Sequence, residues 1–267
     1  MKSHHQAQRW AGWLYFIALC LLPALLSARS ALPPGDASQP LAFAETLRFS
    51  LSFKGMGAAR AVVRFQPGDP QQIEARIDTR TLTSLIFSIH NLYRTEVDPA
   101  SRLPRTVHKT IDQSNIRQEL TIHYDRITGT ARGGELGSWP FLPGAMDLFT
   151  MLYRLRQLSP VAGDSLSFPL DIESQAWLAS GRVSDGGEES TPLGRVHVRQ
   201  VTLRFSRSGS AVARAWKTDL LTNRIARPEG MLTILLGPPP QNLPLQLQFG
   251  PEGQRVVMRL QALEKGN

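Results

Sequence analysis

The sequence predicts a mainly β protein: a strongly curved antiparallel sheet or incomplete β-barrel, with one amphipathic helix packed on its concave side. Three observations carry that expectation. From Glu45 onward, apolar and polar residues alternate with period two in roughly a dozen short runs. Clusters of Gly, Pro, Asn and Asp separate the runs at hairpin intervals. Only the segment 145–157 switches to a helical period. So many strands in one run favour a sheet that curls, the alternative being two stacked sheets.

The first element is not part of that sheet. Residues 10–27 form an apolar run, preceded by Lys2 and Arg9 and followed by the small residues Ala28 and Ser30. A basic start, an apolar stretch and small residues in that order read as an export signal, with cleavage expected near residues 28–31. The run is also long enough for an uncleaved membrane anchor, although Pro23 interrupts it. Residues 1–30 are therefore expected to be a signal peptide, which places the rest of the chain in the periplasm with no stable membrane span. The lone Cys20 lies inside the run behind Leu19, not behind the small residue that a lipidation site needs.

Residues 31–44 hold Pro33, Pro34, Gly35, Asp36 and Pro40, and read as a linker. Residues 45–263 then form a single β domain. Leu47, Phe49, Leu51 and Phe53 alternate with Arg48, Ser50 and Ser52, and Gly55-Met56-Gly57 ends that strand. Ala59, Ala61, Val63 and Phe65 follow in the same pattern. After the turn Pro67-Gly68-Asp69-Pro70, Ile73, Ala75 and Ile77 resume it, which makes an antiparallel meander. Further strands are expected over 88–97, 104–112, 115–125 and 127–132, with a hairpin at Asp112-Gln113-Ser114-Asn115. Beyond Gly163 they are expected at 165–172, 175–182, 194–205, 211–218, 231–236, 243–249 and 254–263, with Gly186-Gly187 among the breaks.

In the helical segment Ala145, Leu148, Phe149, Leu152 and Leu155 recur at three- and four-residue spacing. Asp147 near its start and Arg154 and Arg156 near its end complement the helix dipole. Both Asp147 and Arg156 are expected to anchor the helix, and their replacement to lower thermal stability.

Composition narrows the chemistry. With 42% hydrophobic and 19% charged residues, the chain has material for a sizeable core. Removal of the signal leaves no cysteine, and so neither a disulfide nor a thiol nucleophile. Of the formal charge of +8, Lys2, Arg9 and Arg29 belong to the expected signal; the mildly basic remainder is spread along the strands at Arg60, Arg64, Arg76, Arg94, Lys109, Arg117 and others, as a solvated charge or a surface attracted to anionic lipid. No basic cluster alternates with aromatics, so nucleic acid is not an expected partner.

Gly163-Asp164-Ser165-Leu166-Ser167 spells the nucleophile block of the Gly-Asp-Ser-Leu esterases. In those enzymes the serine opens a helix and a histidine stands three residues after an aspartate. Here the block opens a strand, and none of His90, His108, His123 and His197 has that aspartate. A serine with no base is a poor nucleophile. Asp171 and Glu173 would share a strand face, which suits paired-carboxylate chemistry or, more simply, a solvated face. The histidines are solitary, so no metal site and no cofactor is expected. Trp139, Trp177 and Trp216 are placed either in the core or along a ligand cavity.

Several blocks together resemble the domain-of-unknown-function family 3108. They are Leu92-Tyr93, Leu103-Pro104, Tyr124-Asp125, Asp147-Leu148 with Leu152-Tyr153-Arg154-Leu155-Arg156, Thr191-Pro192-Leu193-Gly194, Ala215-Trp216 with Asp219, and Leu243-Pro244. The resemblance covers about residues 45–263; Lys217-Thr218 departs from it where a more acidic pair is usual. It implies an exported, largely β domain of Gram-negative bacteria, loosely like envelope proteins that carry lipids or lipoproteins, and it supplies no catalytic residue. The expected function is therefore non-catalytic: binding of a hydrophobic ligand, lipid or lipoprotein segment, or of an envelope partner. Leu148, Phe149, Leu152 and Leu155, with Trp139, Trp177 and Trp216, are the expected ligand-lining residues. The alternative is a periplasmic hydrolase using Ser165.

Overall fold

A computed structural model describes residues 44–79, 88–192, 194–209, 219–228 and 230–266. The expected signal peptide, nearly all of the linker, the expected strand 211–218 and Trp216 lie outside these residues. Everything described belongs to the unit Ala31–Asn267.

The alternating runs become antiparallel strands: β1 (Glu45–Phe53), β2 (Met56–Gln66), β3 (Gln71–Thr79), β4 (His90–Val97), β5 (Pro104–Gln113), β6 (Ile116–Asp125), β7 (Thr130–Arg132) and β8 (Ser138–Pro140). Helix α1 (Leu148–Leu158) follows, then β9 (Ser165–Ile172), β10 (Gln175–Thr191), β11 (Gly194–Arg207), the short helix α2 (Leu220–Ile225), β12 (Met231–Leu236), β13 (Pro244–Phe249) and β14 (Val256–Lys265). Among the described residues the strands form one sheet in the order β8-β7-β6-β5-β4-β3-β2-β1-β14-β13-β12-β11-β10-β9. Each strand thus pairs with its sequence neighbour, and β14 returns to pair with β1. This is an up-and-down barrel opened along one seam, between β8 and β9.

The middle of the chain fills the interior of that sheet. Leu148, Met151, Leu152, Tyr153 and Leu155 of α1 are buried in one core with residues of β1–β5 and β9–β14, so the two halves of the sheet curve around the helix. Tyr153 stacks on Phe65 of β2 at 5.3 Å, and Phe149 meets Tyr93 of β4 at 5.0 Å. Just before the helix, Met146 bridges the free edge of β9: its N–H donates to Pro169 O (3.1 Å) and its carbonyl accepts from Asp171 N (3.0 Å). Part of an edge that would otherwise recruit another strand is thereby occupied.

Helix α1 starts later than its apolar stripe suggests. Asp147 is the N-cap, not a first-turn residue, and its Oδ1 accepts from Phe149 N (2.8 Å) and Thr150 N (3.1 Å). Its Oδ2 accepts from Thr95 of β4 at 3.2 Å, so the cap also fixes the helix to the sheet. At the other end Arg156 forms an ion pair with Glu45, the first residue of β1, and both side chains are buried.

Two departures concern strand length and turns. The expected break at Gly186-Gly187 is a bulge inside β10, where the register with β11 shifts between Asp185 and Gly187. Asp185 Oδ1 accepts from Gly187 N at 2.8 Å, which absorbs the extra residue and lets the strand run on to Thr191. Within β10, Gly181 approaches β11 so closely that a Cβ there would lie 1.7 Å from Thr202 O, leaving glycine as the only residue that fits. A second helix, α2, was not expected: six residues are too few for a helical period to register.

Candidate functional site at the open end of the barrel

The inward-facing residues of β4, read from one end to the other, change in chemistry. Ile89, just before the strand, and Asn91 lie at one mouth of the barrel, Tyr93 follows, and Thr95 holds the cap of α1. The mouth is therefore apolar, a polar layer lies beneath it, and the helix-filled core comes next.

At the mouth the protein surrounds a cavity of about 530 Å³. Its walls, among the described residues, include Leu51, Ala59, Ile77, Ile89, Leu221 and Phe249, contributed by β1, β2, β3, the approach to β4, α2 and β13. Each strand residue comes from the buried phase of its alternation, so the same period that builds the core lines the cavity. Met56 at the rim is 67% exposed, an apolar side chain held in water. Asn91 and Arg224 bring the polar groups.

The layer beneath is a connected set of buried polar groups. Tyr93 donates to Asp219 Oδ2 (2.9 Å), and Asn91 Nδ2 donates to Tyr93 Oη (3.0 Å) and Gln113 Oε1 (3.3 Å). Lys109, opposite Tyr93 on β5, donates to Glu173 Oε1 at 2.9 Å, which also accepts from Thr222 Oγ1 at 3.0 Å. Asp219 caps α2 by accepting from Leu221 N (3.0 Å) and Thr222 N (3.3 Å). The network therefore attaches α2, one wall of the cavity, to β4, β5 and the β9–β10 turn. Burial opposes the charge of Lys109, but Glu173, Asp219 and Asp171 hold its ammonium above the ordinary lysine range. Burial raises Asp219 above the usual carboxylate range, with Lys109 pulling it back. Burial and Asp219 together push the Tyr93 phenol well up, so it stays a donor.

Several sequence expectations are corrected here. Lys109 is no solvated surface charge: it is in phase with the buried Val107 and Ile111 of β5. Asp171 and Glu173 do not alternate along one strand face, because β9 ends at Ile172. Glu173 and Ser174 are a two-residue turn with φ of 53° and 57°, the geometry of a tight hairpin. Nor is Asp171 solvated. It is 6% exposed, and the Trp139 indole of β8 donates to its Oδ2 across the seam at 3.0 Å.

Burial pushes the Asp171 carboxyl up to about 6, against the hydrogen bond from Trp139 and the charge of Lys109. An unfolded aspartate titrates near 4. Between these values the folded state binds more protons, so the stability this carboxyl contributes is greatest below pH ~4 and is lost as pH rises through about 6. Asp171→Asn is expected to flatten that slope and to gain on the order of 2 kcal/mol over the parent at pH 7–8. Thermal melts from pH 4 to 8 test this; parallel pH profiles for the two proteins would contradict it.

The expected ligand-lining residues divide differently from the expectation. Leu148, Phe149, Leu152 and Leu155 pack in the core, and none of them lines the mouth cavity. Trp177 is buried there too, with the Arg207 guanidinium 5.4 Å from its ring centre. Trp139 belongs to a smaller cluster with Val107, Ile122, Tyr124 and Ala131. Ser165 is exposed at the first position of β9, opposite Arg182, and among the described residues no histidine bonds it. His90 pairs with Asp78 (3.0 Å) and His197 with Asp185 (2.9 Å), all of them well exposed. No group of three or more metal-ligating His, Cys, Asp or Glu residues occurs among the described residues. The mouth residues went unread because their alternation is that of any core strand. Asn91, Tyr93 and Thr95 on one phase of β4 were the available signal.

The family model described as "Protein of unknown function (DUF3108)" matches residues 48–227. The chain belongs to the DUF3108 family. The match begins in β1 and ends just beyond α2, short of the 45–263 expected from the resemblance, although β12–β14 complete the sheet of this DUF3108 chain. Its fold is similar to the crystal structure of a beta-barrel-like protein of domain of unknown function DUF1849 from Brucella abortus, with a TM-score of 0.58. That likeness covers 84% of this chain and 98% of the other at 12% sequence identity, which speaks to fold alone. No curated protein matches the chain. No helix among the described residues is long and apolar enough to cross a membrane.

Proposed function

We propose that this DUF3108 protein is an exported, periplasmic envelope protein that holds a hydrophobic ligand in the open mouth of its barrel and performs no catalysis. The observation that carries the reading is the apolar cavity of about 530 Å³ between α2 and the strand ends, a volume within the range of small-molecule sites. A few polar groups converge on an otherwise hydrophobic wall, the composition that suits a lipid chain with one polar end. The apolar run at residues 10–27, after Lys2 and Arg9, supports export.

Organic extraction of the purified mature protein, followed by mass spectrometry, is expected to release a lipid. The neutral dye N-phenyl-1-naphthylamine is expected to bind and to be displaced by it. Ala59→Phe places a ring in the cavity and is expected to weaken dye binding at least about ten-fold, as steric exclusion requires. Ser165→Ala should leave dye binding as it was. Absence of both co-purified lipid and dye binding would overturn the reading. Labelling by a serine-directed fluorophosphonate that Ser165→Ala abolishes would replace it with the hydrolase.

A further inference from the structure

Resting on that reading, we propose that the ligand is a single-chain amphiphile with an anionic headgroup, its chain in the mouth and its headgroup on Arg224. Volume sets the chain. At ~30 Å³ for a water-sized group, about 530 Å³ holds on the order of a dozen and a half methylene-sized groups, one acyl chain and not two.

Charge sets the headgroup. Arg224, in the last turn of α2, lines the cavity, and its guanidinium lies 4.9 Å from the ring centre of Phe53, another cavity residue. One of its nitrogens donates to Gln254 Oε1 at 3.2 Å, and among the described residues no carboxylate pairs with it. A second cation shares the Phe53 ring. Lys54 has its ammonium 5.7 Å from the Phe53 ring centre. A carboxylate or phosphate at the end of a bound chain would meet a half-buried guanidinium already oriented by an aromatic face, where a charge-assisted bond is strongest. A neutral or cationic headgroup would gain nothing there, and a cationic one would be repelled.

The test compares laurate, a lauroyl lysophosphatidylglycerol and neutral monolaurin below their micelle concentrations, by displacement of the neutral dye. Laurate and the lysophospholipid are expected to bind about ten-fold more tightly than monolaurin, the ratio one charge-assisted bond gives. In Arg224→Gln that ratio is expected to fall to about one, and in Arg224→Lys, which keeps the charge but not the planar fork over Phe53, to an intermediate value. Melting curves show whether either variant is folded. The relative strength of the two anionic arms tells a fatty-acid carboxylate from a phospholipid phosphate. Equal affinity for laurate and monolaurin in the parent, or a preference that survives in Arg224→Gln, would overturn the proposal while leaving hydrophobic binding intact. If no amphiphile binds, the reading beneath it fails instead.

Discussion

Arg156→Ala is expected to destabilise the protein by about 3–5 kcal/mol, because it leaves a buried carboxylate without its cation. Arg156 and Glu45 are 3% and 4% exposed at the side chain, so water cannot take the place of the lost partner. The guanidinium also lies 5.2 Å from the Phe65 ring centre, and its Nε and Nη2 donate to Gln241 O at 3.3 Å. One side chain thus joins the end of α1 to β1, β2 and the β12–β13 connection. Asn242 reinforces the joint by donating to the Arg156 carbonyl at 2.7 Å. For a domain of this size the loss corresponds to a fall in melting temperature on the order of 10 °C. Removing both charges in Glu45→Gln/Arg156→Met is expected to recover much of it, since a buried pair is weak evidence for stability but a buried orphan is costly. Urea melts of the parent, the single variant and the double variant measure both effects; a single variant as stable as the parent would sink the argument.

Lys109→Met is expected to be as damaging, and its damage should depend on pH. Lys109 and Glu173 are each 10% exposed at the side chain, and the ammonium also offsets Asp219 and Asp171. Without it Glu173, Asp219 and Asp171 lose the ammonium that offsets their charge in one buried region, at a loss of about 3–5 kcal/mol near neutral pH. The sign follows from protonation. Carboxyls that are unfavourable when charged in the folded state bind protons more tightly there than in the unfolded chain. The deficit should therefore be full above their raised values and shrink as pH falls through them. Lys109→Met/Glu173→Gln should restore part of the loss at pH 7. A deficit that stays constant from pH 4 to 8 would assign it to packing instead of charge. Because the same network attaches α2 to the sheet, Lys109→Met is also expected to weaken dye binding at the mouth, beyond any effect of partial unfolding.

These two residues illustrate how far the sequence can be read. The alternation of Leu47, Phe49, Leu51 and Phe53, repeated run after run, specifies both the strands and the face that each of them buries. Likewise the 145–157 stripe and its end charges identify the helix to within three residues. Arg156 could be placed at the helix end, but its partner could not. Glu45 is 111 positions away, and nothing local encodes which strand end the helix meets. Lys109 reads as one of many dispersed charges, although its phase with Val107 and Ile111 is visible. Phase says that a side chain points inward; it does not say that two acids from a distant turn and a helix cap will be there to neutralise it. Asp171 failed in the opposite way, since its outward phase on β9 is buried by Trp139 from across the seam.

By itself, then, the sequence determined the strands, the faces they bury and the position of the long helix, because periodicity is a local quantity. Tertiary structure alone decided that β14 closes on β1, that the opening falls between β8 and β9, and that α1 fills the core between the two halves of the sheet. It alone placed an apolar mouth above a layer of buried charges. The physical reason is that a cavity, like an ion pair, belongs to surfaces brought together from remote parts of the chain, and no pattern within one strand records which surface will face it.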